Sequence, residues 1–350
     1  MIKFRTTLNR PSELSHCFDY VERYFKGTNL KVKRFVHNGV NSIVVTHGEK
    51  IPKVFLAGHL DVVDGEDHQF KPYEKSGRIY GRGALDMKSG IAVLMAIMKE
   101  RAKMSASVGL MLTGDEEIGG FDGTKFLIDN GYSASAVILP DGGKAPNKIV
   151  QKEKGAMWLK LTAKGKAAHG SVPWLGDNAI VKLTEAVTAV LSCFTPHEDH
   201  PNDHWISTCN IGHIEGGSAN NRVAEYASAV CDIRFTEKDE PKKIVEMIKG
   251  KIEKDIKIEQ LLNEPLVYVN SEHAVVKAYQ QAMRINGLKP QFALDYGSSD
   301  ARFFTSLGIP VILSQPKGEG HHGKNEWVDI DSIEIYTNVV KTFLEIYCCP

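Results

Sequence analysis

The sequence predicts an α/β protein in which one domain, built on a mixed central sheet, is interrupted by a smaller inserted domain. Three observations point there. Residues 1–155 alternate strand-like and helix-like patterns, residues 156–267 follow the order βαββαβ, and over 268–350 the α/β alternation resumes. The middle order is the split-βαβ or ferredoxin-like arrangement. A chain of 350 residues is long enough for two domains and a large core.

The elements follow in order. PSELSHCFDYVERYF predicts an opening helix: Ser12 can cap it, and Leu14, Phe18, Val21 and Phe25 recur at helical spacing. SIVVTH and VFLAGH read as strands. MKSGIAVLMAIMKERA is a helix apolar on nearly every face, as a buried helix is. VGLML, FDGTKFLIDNG and AVILPD continue as strand, helix and strand. In the insert, WLKLTAKGKA is a strand. NAIVKLTEAVTAVLSCF is a helix with Ile180, Leu183, Val187, Val190 and Leu191 on one stripe. ISTCNIGHIEGG and VAEYASAVCDIRF are strands, EPKKIVEMIKGKIEKD is a charged amphipathic helix, and IKIEQLL closes the block. Beyond it, SEHAVVKAYQQAMRING reads as helix, IPVILS as strand and VDIDSIEIYTNVVKTFLEIY as a terminal helix.

Composition narrows the function. Basic and acidic side chains number 43 each, so nothing points to a nucleic-acid or acidic-membrane partner. No run of about 18 apolar residues occurs, so no membrane span is expected. The start, MIKFRTTLNRPSELSHC, has no apolar signal core, which favours a cytoplasmic location. The six cysteines show no CxxC spacing, and Cys348 and Cys349 are adjacent; reduced thiols fit this better than a disulfide framework.

Chemistry concentrates in GHLDVVDGE, GRGALDMKSG, LTGDEEIGG, ILPDGG and GEGHHGKNEW, which carry His59, Asp86, Glu117, Asp141 and His322. Three of these segments directly follow an apolar strand, and in an open α/β sheet ligands bind beyond the carboxyl ends of strands. Nitrogen and carboxylate ligands without thiolate suit zinc or a similar divalent ion. Two histidines and three carboxylates are too many for one tetrahedral ion and suit two ions sharing a carboxylate. Asp61 lies two residues from His59, on the same side of an extended chain, and is the candidate to hold that ring's other nitrogen. Taken alone, Asp86 reads as a helix cap, and Glu116–Glu117 reads equally well as an acidic helix start. Adjacent side chains diverge, so Glu117 is assigned as ligand and Glu116 as general base. Of His321 and His322, at most one is expected to bind metal. It is the joint order of the five segments that departs from chance.

That series resembles the dinuclear zinc amidohydrolases that include succinyl-diaminopimelate desuccinylase, acetylornithine deacetylase, carboxypeptidase G, aminoacylase and related di- and tripeptidases. The resemblance runs through nearly the whole chain. It implies a catalytic domain over 1–155 and 268–350, with a lid and dimerisation domain over 156–267. It implies two Zn²⁺ ions, with Co²⁺ or Mn²⁺ as substitutes. His59 and Asp141 would hold one ion, Glu117 and His322 the other, and Asp86 would bridge, beside a non-proline cis peptide at Asp86–Met87. HGKNEW has the family's H-x-x-N-E spacing, which selects His322 over His321. GKAAHGSVP resembles the lid motif and implies that His169 polarises the scissile carbonyl. GGSANNRVAEYA places Asn221 near substrate, with Ala224 where that motif has proline. CDIRF offers Arg234 for a substrate carboxylate. GSSDARFF resembles a desuccinylase-like segment whose backbone lines the pocket.

The chemistry implied is hydrolysis of an amide in a small peptide or an N-acyl amino acid. Asp141 leans toward a peptidase, because the deacylase members tend to have glutamate there; GSSDARFF leans toward a deacylase. Peptidase is favoured. A reading of another class is a non-catalytic metal-binding or assembly protein, against which Glu116 stands, since a structural metal site has no use for an extra carboxylate. EPKKIVEMIKGKIEKD is a candidate surface for a homodimer, although a solvated charged face is the default for such a helix.

Overall fold

A computed structural model describes residues 1–104, 107–196, 199 and 203–348. The chain forms two compact units: Met1–Lys152 with Tyr268–Asp295 and Ser299–Pro350, and Glu153–Val267 with Tyr296–Ser298. Tyr296 groups with the second unit although the sequence places it in the closing α/β segment. Its hydroxyl donates to the Asp203 carbonyl at 2.7 Å, and its ring lies 6.3 Å from that of Trp205.

The first unit is built on a six-stranded mixed sheet in the order Lys31–His37, Val40–Thr46, Val108–Thr113, Val54–His59, Ala136–Leu139, Val311–Leu313. The first two pairings are antiparallel and the rest parallel. The parallel strands are buried throughout, as strands covered on both faces must be, and they read as unbroken apolar runs. The edge strand Lys31–His37 escapes the sequence reading because no position in it is fully buried and two of its exposed positions are lysines, Lys31 and Lys33, which discourage an edge from pairing with other chains.

The opening helix spans Pro11–Phe25 and buries Leu14, Phe18, Val21 and Phe25, together with Cys17. Ser12 does not cap it. The helix starts at Pro11, whose fixed φ suits the first position, and its N-cap residue, Arg10, makes no side-chain capping bond. The apolar helix Ser89–Glu100 buries Ile91, Val93, Leu94, Met95, Ile97 and Met98. Gly90 is needed there, because a Cβ would come within 2.5 Å of Pro140, the residue before Asp141. FDGTKFLIDNG is helical over Phe121–Asp129, as a wide π-helical turn over Phe121–Lys125 that continues as an α-helix over Phe126–Asp129.

The second unit carries a four-stranded antiparallel sheet, ordered Thr208–Gly216, Tyr226–Phe235, Gly155–Lys164, Lys257–Glu264. The helices Ala179–Leu191 and Pro241–Lys249 pack on one face of it, so Leu159, Leu161, Ala229, Cys231, Ile233, Ile244 and Ile248 share one core. The stripe of the first helix differs from expectation. Ala179, Leu183, Ala186 and Val190 are buried, whereas Ile180 and Leu191 are exposed. Small alanines let the helix approach the sheet, and the buried stripe follows them rather than the bulkiest side chains. Asn178 caps this helix by accepting from the Ile180 N–H at 3.0 Å.

Among the described residues no helix is long and apolar enough to cross a membrane. Cys17, Cys193, Cys209, Cys231 and Cys348 are unbridged, and Cys349 lies outside the described residues.

Candidate metal centre

The first unit gathers His59, Asp61, Asp86, Glu116, Glu117, Asp141 and His322. His59 ends a central strand, Asp141 stands two residues past another, and Glu116 and Glu117 sit on a short turn, Glu116–Ile118, just beyond a third. Asp86 lies three residues before the Ser89–Glu100 helix and caps nothing. His322 belongs to a tight turn, with φ 57° and a Gly323 N–H to Gly320 carbonyl bond of 2.7 Å. A non-glycine residue in left-handed backbone conformation is uncommon and tends to occur at functional sites. The Asp86–Met87 peptide is cis.

The donor atoms converge. His59 Nε2 is 3.2 Å from Asp86 Oδ1, 3.9 Å from Glu116 Oε2 and 4.0 Å from Asp141 Oδ2. His322 Nε2 is 3.1 Å from Asp86 Oδ2 and 3.3 Å from Glu117 Oε2. Asp86 thus offers one oxygen to each histidine. His321 also reaches Asp86, at 2.7 Å, and stacks on His322 with ring centroids 4.0 Å apart. His59, Asp86 and Glu117 form one group whose donor atoms lie within 4.8 Å of one another; His59, Glu116 and Asp141 form a second; Asp86, His321 and His322 form a third.

These separations suit a cation. Tetrahedral ligands at ~2.0–2.1 Å from a zinc ion stand about 3.3 Å apart. His59 Nε2 and Asp86 Oδ1 are moreover buried without a hydrogen-bond partner, although only 3.2 Å separates them. Buried polar atoms left in this state are costly, and an ion between them would satisfy both.

Charges bear the same mark. Burial opposes charge on His59, but the nearby carboxylates of Asp61 and Asp86 raise its pKa well above the usual histidine value. Burial also opposes charge on Asp86, yet His321, His322 and His59 hold its carboxyl well below the usual range. Burial, reinforced by the Asp86 charge, pushes Asp141 up to about 7. Hydrogen bonds to Asp86 and Glu117 raise His322 to about 10. Burial raises Glu116 well above an ordinary carboxylate, with the charges of Asp141, Asp300 and Glu117 adding to it and His59 opposing.

Asp61 sits at His59 Nδ1, but its nearer atom is the backbone carbonyl, at 3.1 Å against 3.5 Å for Oδ1. Its Oδ2 accepts the Glu117 N–H at 3.0 Å, and Glu117 Oε1 accepts the Val63 N–H at 3.1 Å. Asp61 therefore holds both the histidine and the glutamate turn.

Two supporting residues escape the sequence reading. Glu326, fully buried, pairs with Arg82 at 2.7 Å and accepts N–H bonds from Gly83, Leu85 and Asp86 at 3.0, 2.8 and 3.1 Å. Arg82 also donates to the His322 carbonyl at 3.0 Å. The pair ties the Asp86 loop to the His322 turn across 244 residues of sequence. The signals were present, Glu326 in the H-x-x-N-E spacing and Arg82 in GRGALD, but spacing does not say which buried charges meet.

The remaining candidates lie on the second unit. His169 and Asn221 come together there: residues 169 and 222 form an isolated bridge, and the Gly170 N–H donates to the Asn221 carbonyl at 2.7 Å. The Ser171 N–H points at His169 Nδ1 at 3.2 Å. With Nδ1 accepting, a neutral ring carries its proton on Nε2. Ala224, at the proline position of its motif, is buried and its carbonyl accepts the Ala179 N–H at 2.8 Å. Arg234 is half-buried and paired with Asp232 at 2.9 Å.

The chain matches Peptidase family M20/M25/M40 over residues 55–346. It is 27% identical over 342 residues to succinyl-diaminopimelate desuccinylase from Coxiella burnetii, covering 90% of this chain and 89% of that protein. Against the protein of the same name from Alkalilimnicola ehrlichii it is 28% identical over 356 residues, with 94% of each covered. Among solved structures, a tripeptidase from Staphylococcus aureus superposes with a TM-score of 0.79 at 24% identity, covering 96% of this chain and 93% of that one. An M20 family metallo-carboxypeptidase from Sulfolobus solfataricus gives 0.78 at 20%, covering 100% and 98%. These structural likenesses establish the fold.

Proposed function

The chain belongs to peptidase family M20/M25/M40 and is a metal-dependent hydrolase of amide bonds; from that premise we propose that it cleaves small peptides with two zinc ions and Glu116 as general base. His59 and Asp141 would hold one ion, Glu117 and His322 the other, and Asp86 would serve both. Asp61 orients His59. When bound, the ions supply a lowered pKa for the attacking water and positive charge for the carbonyl oxygen.

The chain's own groups do the rest. Glu116 carries the reading: its carboxylate stands in the donor cluster, 3.9 Å from His59, and its surroundings raise its proton affinity. A base of that kind takes a proton from water and returns it to the leaving amine. His169, with its proton on Nε2, donates to the oxygen that becomes negative in the transition state. Asn221 contacts substrate beside it, and Arg234 pairs with a substrate carboxylate through its guanidinium fork. The second unit serves as the lid, and as the surface through which two copies pair.

Two observations bear on the substrate. Asp141, where the deacylase relatives tend to have glutamate, favours a peptide. The sequence relatives are named as desuccinylases, which supports the second reading, an N-acyl amino-acid deacylase. GSSDARFF resembles that group too and leans the same way.

The test is amine release by zinc- or cobalt-loaded protein from two matched panels, free di- and tripeptides and N-acetyl or N-succinyl amino acids. Turnover of the peptides alone supports the peptidase. Turnover of acylated amino acids alone overturns it in favour of the deacylase. Silence on both, with two metals bound, would leave a non-catalytic metal protein.

A further inference from the structure

We propose that Asp300 and Arg302 are positioning residues that clamp the Gly119–Gly120 turn and, through it, aim the Glu116 carboxylate. The inference rests on the hydrolase reading above, since it concerns the base named there.

Glu116 and Glu117 share one short turn and serve different ends, so small rotations of that turn exchange their directions. The entry to the turn is held: Asp61 Oδ2 accepts the Glu117 N–H at 3.0 Å. The exit is two glycines in left-handed conformation, Gly119 at φ 114° and Gly120 at φ 67°. Such a pair is the softest link a chain can have. Local bonds close the turn on itself, from Gly119 N–H to the Glu116 carbonyl and from Gly120 N–H to the Asp115 carbonyl, each 2.8 Å. They fix its shape but not its direction.

Direction comes from residues some 180 positions later. Arg302, buried, donates to the Gly119 carbonyl at 2.6 Å and to the Ser299 carbonyl at 2.7 Å. Its guanidinium lies 4.3 Å from the Phe303 ring centroid. The planar fork therefore joins the turn to the start of its own helix, Ala301–Thr305. Asp300, also buried, accepts the Thr124 hydroxyl through Oδ2. Its Oδ1 stands against Gly120, where a Cβ would come within 2.0 Å of it and within 3.0 Å of Phe303. Asp300 thus leaves room for glycine alone at the point where the turn ends. Asp115 completes the frame by accepting the Asp122 and Gly123 N–H groups at 2.9 and 3.0 Å.

Burying an arginine and an aspartate is a costly way to pack a loop, and apolar side chains of the same size would cover it at least as well. What charged groups add is direction, because a charge-assisted bond to one carbonyl is short and geometrically strict. A base must lie within hydrogen-bond reach of its proton, and a misplacement of about 1 Å can lower the rate about 10²-fold.

The test uses metal-loaded full-length protein and the peptide and acyl panels above. Arg302→Met removes both carbonyl contacts, and Arg302→Lys retains one donor. Arg302→Met is expected to lower kcat about 10²-fold, with KM changed less than about threefold and both metals retained. Arg302→Lys is expected to recover part of that loss, and it serves if the methionine variant does not fold. In a Glu116→Gln background Arg302→Met should lower kcat no further, because a residue that acts only through the base has nothing left to position. The proposal is overturned by wild-type kcat in folded Arg302→Met, or by an undiminished loss in the Glu116→Gln background. A wild type inert on both panels would contradict the hydrolase reading itself and this proposal with it.

Discussion

The metal cluster of the first unit and the His169–Asn221 corner of the second are built to opposite specifications. Around the cluster, Asp86 and Glu117 are held by backbone donors or buried charges before any ligand arrives: Glu326 fixes the Asp86 loop and Asp61 fixes the glutamate turn. His59 and Asp86 are nearly solvent-free and keep polar atoms without partners. In the second unit His169 and Asn221 are exposed, and the His169 ring is oriented by Ser171, two residues away. Groups that bind ions must be assembled in advance, since the cost of bringing carboxylates together cannot be met at each turnover. Groups that meet a passing substrate must remain open to solvent.

Removing the ions should have the largest effect. Chelation is expected to abolish turnover and lower the melting temperature, and added zinc should restore both. A cation binding only the folded state stabilises it by ~4 kcal/mol at a thousand times Kd. Calorimetry with and without chelator would check this, and an unchanged melting temperature would mean that the buried orphan atoms are not waiting for metal. Next, His169→Ala should lower kcat by about 10²-fold, the size of one lost oxyanion donor, while leaving metal content and stability unchanged. A loss of metal in that variant would erase the contrast between the two regions.

The cluster's acid–base balance predicts a pH dependence. Asp141, raised to about 7, and His322, raised to about 10, must both lose protons to bind an ion. Metal affinity should therefore rise as pH increases from 6 to 8, by about tenfold per unit for each proton released. Titration with a competing chelator would show it, and a flat profile would contradict it. Arg234→Ala should have the smallest effect. Its partly exposed pair with Asp232 contributes no more than ~1 kcal/mol to stability, so a rise in KM for substrates with a free carboxylate should be the main change. Equal KM with amidated substrates would leave Arg234 as a structural partner alone.

The sequence was most legible where one local pattern decides the structure. VFLAG, VGLML and AVIL are legible as buried strands because they are short unbroken apolar runs closed by turn residues, and they carry His59, the glutamate pair and Asp141 to one region. The alternation of the insert's strands yielded its order for the same reason. What stayed hidden depends on contacts between distant residues. Arg82 and Glu326 are ordinary surface-type residues until the fold buries them against each other. GSSDARFF reads as a segment whose backbone lines the pocket, and that reading leaves open where its side chains go: Asp300 reaches Thr124 and Arg302 the Gly119 carbonyl. On the Ala179–Leu191 helix, Ala179 and Ala186 share the inner face with Leu183 and Val190, whereas Ile180 and Leu191 face outward, so side-chain volume alone did not locate the stripe.

Two adjacent glutamates divide the labour, Glu117 as ligand and Glu116 as base, and metal stoichiometry measured together with turnover separates the two roles. Glu116→Ala and Glu117→Ala would be loaded with zinc, and bound metal and amine release from the preferred panel measured on the same samples. Glu116→Ala is expected to retain two ions and lose about 10³-fold in kcat, as removal of a general base does; Glu117→Ala is expected to lose one ion. A Glu116→Ala protein that keeps wild-type turnover, or that loses metal as Glu117→Ala does, would contradict the assignment.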